Sequence, residues 1–142
     1  MRFISSRGTA PALSFVEAML SGLARDGGLY VPEAWPQLSA AQIAGFAGKS
    51  YEEVAFEVMR PFVGETFTDD AFREIIAKAY GVFGHAARCP LVEVAPGQFL
   101  LELFHGPTLA FKDVAMQLIG QMFEVSLRRA GRRVAIVGAT SG

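Results

Sequence analysis

Lys112 lies in the segment ELFHGPTLAFKDVAMQ, residues 102–117, at the point where an apolar run breaks at a turn and a helical pattern begins. A cation in the first turn of a helix faces the positive end of the macrodipole, and a neighbouring phenylalanine, Phe111, places it poorly for reaching water. Both disfavour the ammonium form. A neutral amine is what Schiff-base chemistry requires, because only the free amine attacks an aldehyde. The competing reading is a solvated surface lysine paired with Asp113 or Glu102, since nearly all lysines are exposed.

Two further groups could join this chemistry. The turn His105-Gly106-Pro107-Thr108 precedes the lysine. It reads either as binding residues or as a structural turn with Thr108 capping the helix. The loop Gly138-Ala139-Thr140-Ser141-Gly142 offers backbone N–H groups and the hydroxyls of Thr140 and Ser141 after a strand-like run, an arrangement suited to a phosphate or carboxylate. It is neither a Gly-Lys-Ser/Thr phosphate loop nor a G-x-G-x-x-G fingerprint, and an ordinary tight turn fits it equally well.

The elements that must position these groups divide the chain in two. The first half reads as successive helices. Ser14 with Glu17 and Ser50 with Glu53 have capping-box spacing, and Thr68 followed by Asp69 and Asp70 gives a third start. Phe72, Ile75, Ile76 and Ala79 form one apolar stripe. Residues 39–47 make a weaker helix interrupted by Gly45, and Pro61 is expected to end or kink the helix that starts at Ser50. Leu29-Tyr30-Val31 fits a strand or an extended connector.

The second half changes period. Residues 91–94 and 99–104 are strand-like, with hairpin turn chemistry in Ala95-Pro96-Gly97-Gln98. A long helix follows, with Ala115, Leu118, Ile119, Met122 and Phe123 on one face, ending near Ala130 at Gly131. Residues 134–137 then read as a strand. Strand, helix, strand predicts a right-handed β-α-β crossover opening an α/β sheet, in which ligands bind at the carboxyl ends of the strands. There the lysine segment and the glycine loop would meet.

Composition narrows the function further. The 142 residues are 51% hydrophobic and 19% charged, enough for a buried core. A net charge of -1 gives no electrostatic reason to expect nucleic acid or an anionic membrane as partner, so a small molecule is the better expectation. Cys89, the single cysteine, excludes an intrachain disulfide and a C-x-x-C pattern, which suits a reducing cytosol. No signal-peptide or membrane-length apolar run is visible, predicting a soluble cytoplasmic chain. The small-residue loop at its end reads as the opening of a longer protein.

Together, LELFHGPTLAFKDVAMQ and the later VAIVGATSG resemble the threonine synthase family of pyridoxal-phosphate enzymes, and ISSRG with GLARDGGLYVPE is similar to that family's N-terminal domain. The resemblance covers essentially the whole chain. It implies an α/β fold: a mostly helical N-terminal domain over residues 1–88, then over 89–142 the first β-α-β unit of a truncated fold-type II cofactor domain. It implies that Lys112 forms the Schiff base with pyridoxal 5'-phosphate, with Phe111 packed near the cofactor. The implied reaction converts O-phospho-L-homoserine and water to L-threonine and phosphate. By the same resemblance Thr140, Ser141 and Gly142 receive the substrate carboxylate, while His105, Thr108 and Arg7 are candidates for its phosphate. Another fold-type II enzyme, such as a serine or threonine dehydratase, is the nearest rival, and DGGLYVPE argues against it. A non-catalytic homologue that only binds ligand or partner is the rival from another class.

Overall fold

Local capping chemistry sets where the helices begin. In the computed structural model, which describes residues 1–135 and 137, Ser14, Ser39 and Ser50 each form a complete capping box, with Glu17, Gln42 and Glu53 respectively. These start α1 (Phe15–Ser21), α2 (Ala40–Ala44) and α3 (Tyr51–Val63). Thr68 accepts from the Ala71 N–H and starts α4 (Asp69–Tyr80). Helix α3 runs through Pro61 and ends two residues later, at Val63, followed by Gly64 with φ of 57°. The proline falls in the last turn, where the backbone bond it removes is one of the final few, so it shortens the helix without kinking its middle.

The stripe expected on α4 is the centre of the core. Phe72, Ile75, Ile76 and Ala79 are all buried, with Phe56 and Val63 of α3 and with Phe67 from the turn between the two helices. The Phe67 and Phe72 rings stack at 6.3 Å, and Phe56 meets Phe72 at 5.7 Å. Leu118 and Met122 bring α5 (Asp113–Ala130) into the same cluster. The rest of the expected α5 face follows only in part, with Phe123 half-buried. Ala115 and Ile119 are exposed, because α5 is apolar on two sides and only the Leu118–Met122 side meets α4.

Two small antiparallel sheets complete the architecture. β1 (Phe3–Ser5) pairs with β2 (Tyr30–Pro32), Ile4 opposite Val31, so Leu29-Tyr30-Val31 leads into a strand. β3 (Leu91–Ala95) and β4 (Gln98–Leu101) form the expected hairpin, with Gly97 at φ 72°. β4 is shorter than the run 99–104: the Glu102 N–H makes a last bond to the Pro90 carbonyl in the same register, and Pro90 has no N–H with which to extend the ladder.

The β-α-β crossover is not formed among the described residues. The hairpin pairs only with itself, and residues 132–135 and 137 carry no strand. Ile136 and the whole glycine loop, with Thr140, Ser141 and Gly142, lie outside the described residues. Among the described residues no helix is long and apolar enough to cross a membrane.

Candidate active site

Lys112 stands directly before Asp113, the first residue of α5, with φ of -63° and ψ of -22°, already helical. Its carbonyl accepts from the Met116 N–H at 2.8 Å, so the backbone that carries the amine is fixed at the first turn of an 18-residue helix. The side chain is exposed, and Nζ lies 4.2 Å from the centroid of the Phe111 ring, itself 61% exposed. This corrects one half of the expectation. The helix start is as read, but Phe111 does not bury the amine; its ring face attracts the ammonium.

The carboxylates that could pair with Lys112 are engaged elsewhere. Asp113 is buried and folds back over the preceding turn, accepting from the Thr108 N–H at 2.8 Å, the Thr108 hydroxyl at 2.9 Å and the Gln117 amide at 3.3 Å. Burial raises its pKa, but the hydrogen bonds from Thr108 and Gln117 outweigh this and hold the carboxyl below the usual value. Gly106 is required beneath it, because a Cβ there would collide with the Asp113 side chain. Glu102 Oε2 meets His105 Nε2 at 2.7 Å. Among the described residues no ion pair involves Lys112, so its amine is left without a carboxylate competitor.

His105 joins two segments of the chain. Its ring lies 5.0 Å from that of His85 and 4.7 Å from that of Phe104, and its carbonyl accepts from the Gly84 N–H. Thr108, read as a helix cap or a binding group, spends both its N–H and its hydroxyl on Asp113. The turn is closed by Leu109, which takes φ of 61°, an uncommon backbone state for a branched side chain. Along the same segment Phe104, Leu109, Phe111 and Met116 are all exposed.

Arg7 lies on the loop after β1, where Nη1 donates to the Asp26 carbonyl at 3.0 Å. The structure thus brings His105, Thr108, Phe111 and Lys112 together on one turn, with Arg7 on the separate β1–β2 unit. Asp113 and Glu102 were visible only as possible partners of the lysine. Their real partners lie five and three residues away along the chain, a local spacing that sequence patterning does not single out.

Other features do not carry chemistry. An apolar groove of about 440 Å³ runs between α3 and α5, lined by residues such as Val54, Met59 and Leu118, with only the Tyr51 and Tyr80 hydroxyls as side-chain polar groups. Burial pushes the Cys89 thiol up, against a smaller opposite effect of Tyr51, so it is a poor nucleophile. Among the described residues no cluster of three His, Cys, Asp or Glu side chains is placed to hold a metal.

Comparison with known proteins follows the same residues. The family model described as "Threonine synthase N terminus" matches residues 2–80. A threonine synthase of Pseudomonas aeruginosa is 53% identical over 142 residues, all of this chain and 30% of that protein. The crystal structure of a threonine synthase from Brucella melitensis with pyridoxal phosphate bound superposes with a TM-score of 0.91 at 53% identity, over 94% of this chain and 29% of that one. The yeast threonine synthase structure gives 0.84 at 38% identity, over 91% and 27%. The chain therefore spans about 30% of the length of the curated relatives it matches. With over half of its residues inside the family model and its fold shared with these enzymes, the chain belongs to the threonine synthase N-terminus family.

Proposed function

We propose that the chain is the N-terminal part of a pyridoxal-phosphate-dependent threonine synthase, a carbon-oxygen lyase that converts O-phospho-L-homoserine and water to L-threonine and phosphate. The observation that carries this is the Lys112 amine. It stands on a rigid helix start, and the two nearby carboxylates that would neutralise it are committed to Thr108 and His105. The relatives named above supply the enzyme class.

The residues present fit the cofactor. Lys112 would hold it through Nζ, and Phe111 would border it with an apolar ring. When bound, pyridoxal phosphate supplies an electron sink for negative charge developing beside the substrate's α carbon. The chain's own part is proton handling and placement. The Lys112 amine takes protons from the substrate's α and β carbons and returns them at the γ and α carbons, and its place on the first turn of α5 fixes where it delivers them. Asp113 holds the turn that carries it. Water adds at the β carbon only once phosphate has left the γ carbon, so the timing of its entry matters.

His105, Thr108 and Arg7 remain candidates for the substrate phosphate, and Thr140, Ser141 and Gly142 for its carboxylate. A boundary between residues 88 and 89 divides the N-terminal domain from the start of the cofactor domain in this reading. The hairpin supports membership of a larger sheet: Leu91, Val94, Phe99, Leu100 and Leu101 are all exposed, and strands covered on both faces have such near-continuous apolar runs.

The test uses the full-length protein with pyridoxal phosphate. Phosphate and threonine should appear in equal amounts from O-phospho-L-homoserine. Ammonia and a keto acid from serine or threonine, with no phosphate release, would assign a dehydratase instead.

A further inference from the structure

The β1–β2 unit contains a polar cluster that the lysine site does not use. Asp26, in the turn that leads into β2, accepts hydrogen bonds from Ser5 Oγ at 2.7 Å, the Gly28 N–H at 2.9 Å and the Ala10 N–H at 2.9 Å. Thr9 adds its N–H at 3.1 Å and its hydroxyl at 3.0 Å. These donors come from three places: the end of β1, the loop after it and the glycine turn. Two carboxylate oxygens offer about four lone-pair positions, so the group is filled. The Ser5 hydroxyl is the largest cause holding the Asp26 carboxyl far below its usual value. Burial opposes it, while Gly28, Ala10 and Thr9 reinforce it.

The same cluster fixes Arg7. Ser5, 3% exposed, accepts the Arg7 N–H on its hydroxyl at 3.1 Å, and Arg7 Nη1 donates to the Asp26 carbonyl. The guanidinium lies over Gly27, where a Cβ would be 2.9 Å from Nη1 and φ is +77°. Arg7 is therefore held beside a carboxylate that has no lone pair left for it. Arg7 shares with several other arginines, Arg73 and Arg129 among them, the lack of a carboxylate partner among the described residues, and is set apart by having both its backbone N–H and its guanidinium held by one cluster. A guanidinium held in place with its charge unpaired suits bidentate recognition of a phosphate.

We propose that Asp26 is a positioning residue: by ordering residues 5–10 around its own carboxylate, it keeps Arg7 unpaired and aimed to receive the phosphate monoester of the substrate. This rests on the threonine synthase reading for the identity of that substrate. Ser5, Thr9 and Gly28 are the parts of the device, and Arg7 is its working end.

The test compares Asp26→Ala, Asp26→Asn, Arg7→Ala and the Asp26→Ala/Arg7→Ala double variant in the full-length holoenzyme. Arg7→Ala should raise KM for O-phospho-L-homoserine and weaken inorganic phosphate binding by about ten- to a hundredfold, the loss of a charged hydrogen-bonding group. Asp26→Ala should reproduce most of that loss, and the double variant should be no worse than Arg7→Ala, because the two residues act in series. Amide exchange at Thr9 and Ala10 should accelerate in both Asp26 variants and stay slow in Arg7→Ala. Should Asp26→Ala fail to fold, Asp26→Asn reads the same phosphate affinity. Unchanged phosphate affinity in the Asp26 variants, or losses that multiply fully with that of Arg7→Ala, would overturn the proposal. A wild-type enzyme that releases no phosphate from O-phospho-L-homoserine would instead overturn the reading of the substrate, and calorimetric binding of inorganic phosphate would still decide the role of Asp26.

Discussion

Tyr80 ties the helix that carries Lys112 to the core, and its removal in two steps separates a hydrogen bond from a packed ring. Its hydroxyl donates to the Val114 carbonyl at 3.1 Å, in the first turn of α5. Its ring is 3% exposed and meets Tyr51 edge-on at 4.8 Å and Phe83 at 5.6 Å. Tyr80→Phe removes the hydroxyl and leaves both ring contacts. Val114 keeps its own place in the helix ladder, so no carbonyl is orphaned and the cost is about 0.5–1.5 kcal/mol. Tyr80→Ala removes the ring from a closed core and costs about 3–5 kcal/mol. Amide exchange of the first α5 turns in the full-length protein reads the difference locally. Exchange there should quicken about two- to tenfold in Tyr80→Phe, the same cost as a rate ratio, and far more in Tyr80→Ala. Unchanged exchange in Tyr80→Phe would refute the idea that this bond anchors the lysine's helix.

The same residue gives a prediction at high pH. Burial, then the neighbouring Tyr51, pushes the Tyr80 phenol up from its ordinary value near 10. A raised folded-state pKa means that its stabilising contribution is complete below the unfolded value and is lost as pH rises from there through the folded one. Stability should therefore decline above about pH 10, and less steeply in Tyr80→Phe. An identical alkaline decline in both proteins would show that another group, such as Tyr51, is responsible.

At the acid end the sign reverses for Asp113. Its pKa is depressed in the fold, so its contribution is present above the ordinary carboxylate value near 3.9 and is lost as pH falls through the lower, folded one. Unfolding followed from pH 6 to pH 2 (about that span covers both values) should show a shallower acid limb in Asp113→Asn than in wild type; equal limbs would remove Asp113 from the account of acid stability. Gly106→Ala places a methyl group against the Asp113 side chain and should cost about 1–3 kcal/mol by overpacking, seen as a lower urea midpoint at unchanged slope. A neutral result would mean that the turn before Lys112 yields easily.

Local chemistry was the most legible part of the sequence. Ser14 with Glu17 and Ser50 with Glu53 start helices where their spacing says, because a capping box involves only neighbours. The α4 stripe was equally plain, since one face of one helix makes the centre of the core. β1 was not legible: three residues show no period, and their partner Tyr30–Pro32 lies far along the chain. Nor could the pattern on α5 say which of its two apolar sides meets α4. Lys112 stood out by type and place, but the pattern overstated its burial, because the exposure of Phe111 depends on tertiary packing. The commitment of Asp113 to Thr108, and of Asp26 to residues 5–10, depends on how turns fold back, which no linear spacing encodes.

The most direct measurement concerns the lysine itself. The full-length protein, loaded with pyridoxal phosphate, is reduced with borohydride and digested, and the pyridoxyl-bearing peptide is sequenced. The label should fall on Lys112, within LAFKDVAMQ, and be absent from Lys112→Ala. Label on Lys49, Lys78 or a lysine elsewhere in the protein, with Lys112 unmodified, would contradict the assignment of this site.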